Sequence, residues 1–106
     1  MIKANFNVKS EKTIVSFEMT GHADFAEEGS DIVCAAASSL ALNAVNSIEE
    51  LAGYQPIVTI DDGYLYFEVL SDLSEKQKEV TDILLKSLLI GLKGIEEEYS
   101  PYIQVN

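Results

Sequence analysis

The sequence predicts an α+β fold of one domain over residues 1–106, a two-layer sandwich in which two helices cover one side of a mainly antiparallel sheet. Three observations predict this fold. Apolar and polar residues alternate in short segments, two longer segments repeat apolar residues every three or four positions, and an Asp-Gly pair joins two alternating segments. In chain order the segments give β-β-α-β-β-α-β. With 47% hydrophobic residues, a chain of 106 residues can bury a core of its own.

The N-terminal half is predicted to hold two strands and a helix. Residues 2–8 and 12–19 alternate apolar and polar side chains, and a polar turn at residues 10–11 joins them into a hairpin. Residues 31–52 follow a helical period with one polar stripe, and apolar residues that include Ala36 and Leu51 fill the remainder. This pattern predicts a central helix, with Gly53 as its C-terminal stop.

The C-terminal half is predicted to hold a second hairpin, a second helix and a last strand. Residues 56–60 and 64–70 form the hairpin, because the Asp-Gly pair between them supplies the positive-φ residue that a tight turn needs. Residues 74–77 fit a capping box at the start of the helix, and Pro101 follows its end. Residues 102–105 then predict a short edge strand.

The second predicted helix carries more apolar residues than one stripe holds. The main stripe consists of Val80, Ile83, Leu84, Leu88, Gly91 and Ile95. Leu85, Leu89 and Leu92 form a second stripe, in excess of what a small two-layer core hides, and therefore predict a homodimer. Gly91 and Gly94 each cost about 1 kcal/mol relative to alanine, so they either permit a close crossing or loosen the last turns.

Composition bounds the partners and the compartment. A net charge of −11, from 18 acidic and 7 basic side chains, would repel a phosphate backbone, so we expect basic partners and no direct contact with nucleic acid. Acidity also serves solubility alone. A single cysteine excludes an internal disulfide, and with no leader and no apolar run of roughly 20 residues we expect a cytoplasmic protein without membrane contact.

One cysteine and one histidine are the residues that point to chemistry. Cys34 lies in the first turns of the first predicted helix, where unpaired N–H groups and the helix dipole favour a thiolate. His22 follows the second strand, and its imidazole can accept the thiol proton. The inert alternatives are a buried cysteine and a solvated loop histidine. Too few soft ligands are present for zinc, so Asp61 and Asp62 are interpreted as turn residues.

The start of the first helix leaves several roles open. Either Ser30 or Asp31 is the N-cap. Asp31 could also orient His22, although its charge opposes a thiolate on Cys34. The backbone N–H groups of Val33 and Cys34 are candidates for the oxyanion hole.

An acidic loop separates the histidine from the cysteine. Residues 23–30 include Asp24, Glu27 and Glu28, so the loop either folds over a bound basic peptide or is a solvated flexible segment. Phe25 within it is either a packing anchor or a contact for an apolar substrate side chain. Ser38, one turn beyond Cys34, either lines the pocket or bonds back to a carbonyl.

The segment as a whole resembles a known family. Gly21-His22-Ala23, the acidic loop, Gly29, then Asp31-Ile32-Val33-Cys34-Ala35-Ala36 and Ser38 are similar to the signature of the ribosomal-processing cysteine proteases, the Prp or YsxB-like family. The resemblance implies an endopeptidase that needs no cofactor and removes the N-terminal extension of the large-subunit ribosomal protein numbered twenty-seven.

The resemblance also implies roles for single residues. Cys34 would be the nucleophile and His22 its base, with Gly21, Phe25, Gly29 and Ser38 at the substrate. Members of the family are described as dimers. The rival hypothesis is a non-catalytic ribosome-assembly module that binds the same basic tail. A thiol redox enzyme is disfavoured, because the chain has no second cysteine to resolve a disulfide.

Overall fold

The computed structural model describes residues 1–9, 12–27 and 31–106, and the predicted order of elements is confirmed within them. The elements are β1 (Ile2–Val8), β2 (Ile14–Thr20), α1 (Ile32–Ser47) with a π-helical turn (Ile48–Ala52), β3 (Ile57–Asp61), β4 (Tyr64–Glu68), α2 (Glu75–Tyr99) and β5 (Ile103–Val105). The turn predicted at residues 10–11 lies outside the described residues. The described strands form one sheet in the order β3-β4-β2-β1-β5.

The sheet is antiparallel except at β5, which pairs in parallel with β1 at one edge. Phe6, Phe17 and Phe67 stand opposite one another on three adjacent strands, with ring centroids 4.7 and 5.4 Å apart. This row belongs to the face that the helices cover. Because side chains alternate along a strand, the neighbouring row with Glu18 and Tyr66 lies on the opposite, polar face. The two-layer prediction is therefore confirmed.

Helix α1 is buried on one face only, and its other faces are exposed or half-buried. Its buried residues, with those of the π-helical turn, are Val33, Ala37, Ala41, Ala44, Val45, Ile48 and Ala52. The prediction of a central helix is wrong for the single chain, because Ala36 is exposed and Leu51 is 66% exposed. The π-helical turn shifts the helical phase, so that Leu51 leaves the buried face. Gly53 ends the helix with φ +76°, as predicted.

The segment Ile32–Ala52 is long and apolar enough to cross a membrane when length and composition alone are considered. Core helices of soluble proteins share that property. Here the buried side of the helix belongs to the same hydrophobic core as the sheet and α2. We therefore interpret α1 as a core helix.

Helix α2 begins at the predicted capping box, in which Ser74 and Gln77 each bind the other's backbone N–H. Its buried stripe differs from the predicted one and consists of Thr81, Leu85, Leu88 and Leu92. Thr81 can face the core because its hydroxyl is hydrogen-bonded to that of Tyr54 at 2.9 Å. Consequently Ile83, predicted to be buried, is 62% exposed. Leu85 and Leu92 are core residues, so they no longer support a dimer.

The crossing of the two helices depends on a glycine. A Cβ added at Gly91 would lie 2.9 Å from Cδ1 of Leu40, whereas one added at Gly94 would meet nothing within 4 Å. Of the two alternatives predicted for these glycines, close crossing is therefore the role of Gly91. This contact fixes α1 against α2 and, with it, the position of the cysteine near the start of α1.

Candidate active site

The start of α1, the segment after β2 and the turn between β3 and β4 enclose an open cleft of about 480 Å³. Its lining residues are His22, Asp24, Ala26, Asp31, Cys34, Ala35, Ser38 and Asp62. The histidine, the cysteine and Ser38 thus lie on the same cleft, as the sequence predicts. Gly29 and Glu28 lie outside the described residues, as does Ser30.

Asp31 is the N-cap of α1, one of its two predicted roles. Its Oδ1 accepts hydrogen bonds from the N–H groups of Val33 and Cys34, both at 3.0 Å, and its Oδ2 accepts one from Phe25 at 3.1 Å. Both carboxylate oxygens are therefore occupied by backbone donors, and no hydrogen bond joins Asp31 to His22. The two N–H groups predicted for the oxyanion hole are bound to Asp31 in this state.

These bonds set the charge of Asp31. Burial of the carboxyl acts to raise its pKa, but the N–H groups of Cys34, Phe25 and Val33 outweigh burial and hold the pKa below its usual value. Asp31 is therefore ionised at neutral pH, beside the first turn that carries Cys34.

The thiol of Cys34 is not activated in the resting protein. Burial raises its pKa, and the negative charges of Asp31 and Asp24 raise it further. The N–H of Ala23 donates to Sγ at 3.1 Å and lowers the pKa, without reversing the shift. The expectation of a lowered pKa in the resting protein is therefore wrong, because burial of the thiol and the charge of Asp31, which caps the helix N-terminus, outweigh the N–H donors.

His22 lies across the cleft from α1 and is held by the β3–β4 turn. Its Nε2 is 3.7 Å from Oδ1 of Asp62, and its side chain is 53% exposed. Among the hydrogen bonds of the described residues, none joins His22 to Cys34. The pair therefore shares the cleft without a hydrogen bond between its members. Asp62, which sequence reasoning assigned to a turn alone, is the cleft residue that it missed.

Gly21 has a backbone role beside the cleft rather than a place in its lining. It adopts φ +86°, and a Cβ at this position would collide with the carbonyl oxygen of Met1. Its N–H donates to the carbonyl of Gly63 at 2.8 Å, which ties the segment of His22 to the β3–β4 turn. A side chain at position 21 would disrupt both arrangements.

Phe25 is a packing anchor, one of its two predicted roles. Its ring packs edge-on against Tyr99 and Tyr102, with centroids 5.7 and 5.1 Å apart, and it does not line the cleft. The contacts of Phe25 thereby hold this described part of the loop against the end of α2. Asp24 in that loop lines the cleft with a side chain that is 83% exposed, and it lies 3.7 Å from the amino group of Met1.

The fold is that of a small thiol protease, as comparison with known proteins shows. The family model described as Cysteine protease Prp matches residues 1–104. A relative named Ribosomal processing cysteine protease Prp, from Bacillus subtilis (strain 168), is 39% identical over 107 residues, 99% of this chain and 96% of the relative. A relative of the same name from Staphylococcus aureus (strain Mu50) is 35% identical over 106 residues, 100% of this chain and 98% of the relative.

Two crystal structures of an essential ribosomal processing protease Prp from S. aureus share the fold. The complex with a covalently linked product peptide gives a TM-score of 0.89 at 33% identity, covering 100% of this chain and 98% of that one. The complex with a substrate peptide gives a TM-score of 0.83 at 32% identity, and again 100% of this chain and 98% of that one are covered. The chain is therefore a cysteine protease. It belongs to the cysteine protease Prp family.

Proposed function

We propose that this protease removes a short N-terminal extension from the large-subunit ribosomal protein numbered twenty-seven, with Cys34 as nucleophile and His22 as base. One observation carries the proposal: the chain's single cysteine and single histidine line the same cleft. The family match supports ribosomal processing, and the Prp structures from S. aureus hold substrate and product peptides. We also place the protein in the cytoplasm, where ribosomal proteins are made.

The proposed reaction needs only the two side chains and water. His22 accepts the proton of the Cys34 thiol, and the sulfur forms a bond to the scissile carbonyl carbon. The carbon–nitrogen bond then breaks, and the leaving amine takes the proton from His22. Water, deprotonated by His22, hydrolyses the thioester and frees the enzyme. The N–H of Ala23, 3.1 Å from Sγ, stabilises the sulfur while it is negatively charged.

Activation is proposed to follow peptide binding. In the resting state Cys34 has a raised pKa and no hydrogen bond to His22. A peptide in the cleft brings the two side chains together with the carbonyl, so that the thiolate forms only where it can attack. A thiol that stays protonated without substrate is also protected from oxidation.

The charge of the cleft supports a basic peptide. Asp24 lies on its rim with a side chain 83% exposed, on a chain of net charge −11. Such carboxylates attract a cationic peptide over roughly 10 Å at 0.1 M salt.

Cleavage of two synthetic peptides tests the proposal. One peptide spans the extension and the first mature residues, and the other begins at the mature residue. We expect the wild type to cut only the first, at one bond found by mass measurement. Cys34→Ser should keep the fold and bind the peptide without cutting it, and His22→Ala should cut it far more slowly. Uncut peptide with the wild type under conditions in which it binds would contradict the proposed substrate.

The rival hypothesis of a non-catalytic assembly module is wrong, because the chain belongs to a cysteine protease family. The proposed substrate is tested in cells that carry Cys34→Ser as their only copy. The proposal predicts that these cells accumulate the extended ribosomal protein, whereas normal processing would contradict it.

We further propose a homodimer through the outer face of α2. Ile83 and Ile90 lie one heptad apart on this face and are 62% and 73% exposed. Two such side chains on one stripe favour contact with a second apolar surface. They replace Leu85 and Leu92 as the residues on which the proposal rests.

A further inference from the structure

We propose that the turn between β3 and β4 positions His22 for catalysis, with Asp62 as the carboxylate partner of the imidazole. The inference rests on the proposed function, in which His22 is the base. Three contacts of the turn support it. The carbonyl of Gly63 accepts the N–H of Gly21, the backbone of Gly63 lies against the imidazole of His22, and the carboxylate of Asp62 faces that imidazole.

The backbone contact extends the sheet to the histidine. Thr20, the last residue of β2, stands opposite Tyr64, the first residue of β4. One residue further, the N–H of Gly21 donates to the carbonyl of Gly63 at 2.8 Å. The turn and His22 are therefore neighbours because strand pairing makes them so, and a site built on a sheet is held more precisely than one on a free loop.

The glycine contact leaves room for the ring. Gly63 adopts φ +66°, and a Cβ at this position would lie 2.9 Å from Nε2 of His22 and 3.4 Å from its Cδ2. A Cβ 2.9 Å away is too close for an undisturbed contact. The imidazole therefore rests on the Cα of Gly63, and any side chain there would displace it.

The carboxylate contact sets the direction of proton transfer. A neutral imidazole has one donor and one acceptor nitrogen, and Nε2 of His22 faces Oδ1 of Asp62 at 3.7 Å. This distance is beyond that of a hydrogen bond. In the proposed arrangement the two atoms close to hydrogen-bond distance when the peptide binds, so that Nε2 keeps the proton and the lone pair of Nδ1 accepts the proton of Cys34. The resulting imidazolium has its positive charge beside Asp62, which stays ionised. When Nδ1 gives its proton to the leaving amine, the ring is neutral again.

The other charged groups around the cleft are engaged elsewhere. Asp31, on α1, uses both oxygens to bind backbone N–H groups. Asp24, on the acidic loop, faces the amino group of Met1 at 3.7 Å. Cys34 stands on the α1 side with its Sγ bonded to Ala23. Asp62 is therefore the carboxylate that serves His22.

Asp61 provides a matched control for Asp62. It carries the same charge one residue earlier in the same turn, but its Oδ1 accepts the N–H of Asp62 at 2.8 Å and it does not line the cleft. Changing either residue to asparagine alters the net charge equally. A difference between the two variants therefore reports the contact with His22.

The test compares steady-state cleavage of the extended peptide by the wild type, Asp62→Asn, Asp62→Glu and Asp61→Asn. The His22–Asp62 pair is exposed, so Asp62→Asn should lower kcat about two- to fivefold. KM should change less than about twofold, because Asp62 acts through His22. Asp62→Glu should restore at least half of the loss, Asp61→Asn should match the wild type, and 1 M NaCl should shrink the Asp62→Asn effect.

A steric pair of variants tests the glycine contact. Gly63→Ala and Gly53→Ala both place a side chain at positive φ, but a Cβ at Gly53 would meet nothing within 4 Å. We expect similar losses of melting temperature from both variants and a loss of kcat only from Gly63→Ala. Equal kcat for the two folded variants would overturn the steric part of the proposal.

Several outcomes would overturn the carboxylate part. Equal kcat in Asp62→Asn and Asp61→Asn would do so, and so would a rise in KM alone, which would make Asp62 a substrate contact. Because the chain has one histidine, its imidazole NMR signals are unique. Asp62→Asn should shift them and Asp61→Asn should not, even if the wild type cleaves no peptide, so failure of the positioning role and failure of the proposed function are distinguishable.

Discussion

Two glycines of α2 give the sharpest test of how the helices hold the cleft. Alanine is favoured over glycine in a helix by about 0.8–1.0 kcal/mol. Gly94 is exposed, and its added Cβ would meet nothing, so Gly94→Ala should gain this amount in free energy of unfolding. For a domain of this size about 1 kcal/mol corresponds to a rise of about 4–8 °C in melting temperature.

Gly91→Ala should not raise the free energy of unfolding, although alanine is favoured over glycine in a helix by the same amount at this position. Its Cβ would lie 2.9 Å from Cδ1 of the half-buried Leu40, and forcing a methyl group into such a contact costs about 1 kcal/mol or more. The two effects cancel or leave a net loss. Gly91→Ala should therefore unfold at or below the wild-type temperature, at least about 4 °C below Gly94→Ala.

Thermal and urea unfolding followed by far-UV circular dichroism measure both variants, and Leu40→Val supplies the control. In that background the Cδ atoms are gone, so Gly91→Ala should become stabilising. Equal stabilisation by Gly91→Ala and Gly94→Ala in the wild-type background would refute the close crossing of α1 and α2. A Gly91→Ala penalty that Leu40→Val does not relieve would refute the named contact.

Three further predictions concern the cysteine, the charge of the cleft and the dimer. Without bound peptide, alkylation of Cys34 by iodoacetamide should show an apparent pKa above that of a free thiol. Asp31→Asn keeps a capping oxygen but removes the charge, so it should lower this pKa. An unchanged or higher pKa in that variant would contradict the effect of Asp31. Changing Asp24 to Asn and Glu27 to Gln should lower kcat/KM for a basic peptide and make kcat/KM depend less on salt concentration, while kcat changes less. If the salt dependence of kcat/KM is unaltered, these residues only solvate the loop. In sedimentation equilibrium at tens of micromolar, the wild type should be a dimer and Ile90→Lys a monomer. A monomeric wild type would contradict the dimer proposal and leave the proposed catalysis unaffected.

Local signals were sufficient for the order of elements and for the cysteine and the histidine of the cleft. The Asp-Gly turn, the capping box at Ser74 and the glycine stop at Gly53 each depend on a few adjacent residues, and all three are present in the structure. Cys34 and His22 share one cleft because a single strand, loop and helix start connect them. Such features can be read from the sequence because their causes lie within one stretch of chain.

Features that depend on distant partners were missed. Asp62 is 40 residues from His22, and only the pairing of β2 with β4 brings the two together. The phase of α2 depends on the bond between Thr81 and Tyr54, which allows a polar residue to face the core. The raised pKa of Cys34 follows first from burial of the thiol, which depends on how the folded chain packs around it, and then from the charge of Asp31, which caps the helix.

Intact-mass measurement of a rapidly quenched reaction tests the central claim most directly. The account predicts that wild-type protein mixed with the extended peptide gains, within the first turnover, the mass of the N-terminal fragment less one water, as a thioester on its single cysteine. Cys34→Ala should show neither this adduct nor cleavage, and His22→Ala should form the adduct far more slowly. Full cleavage by Cys34→Ala would contradict the account.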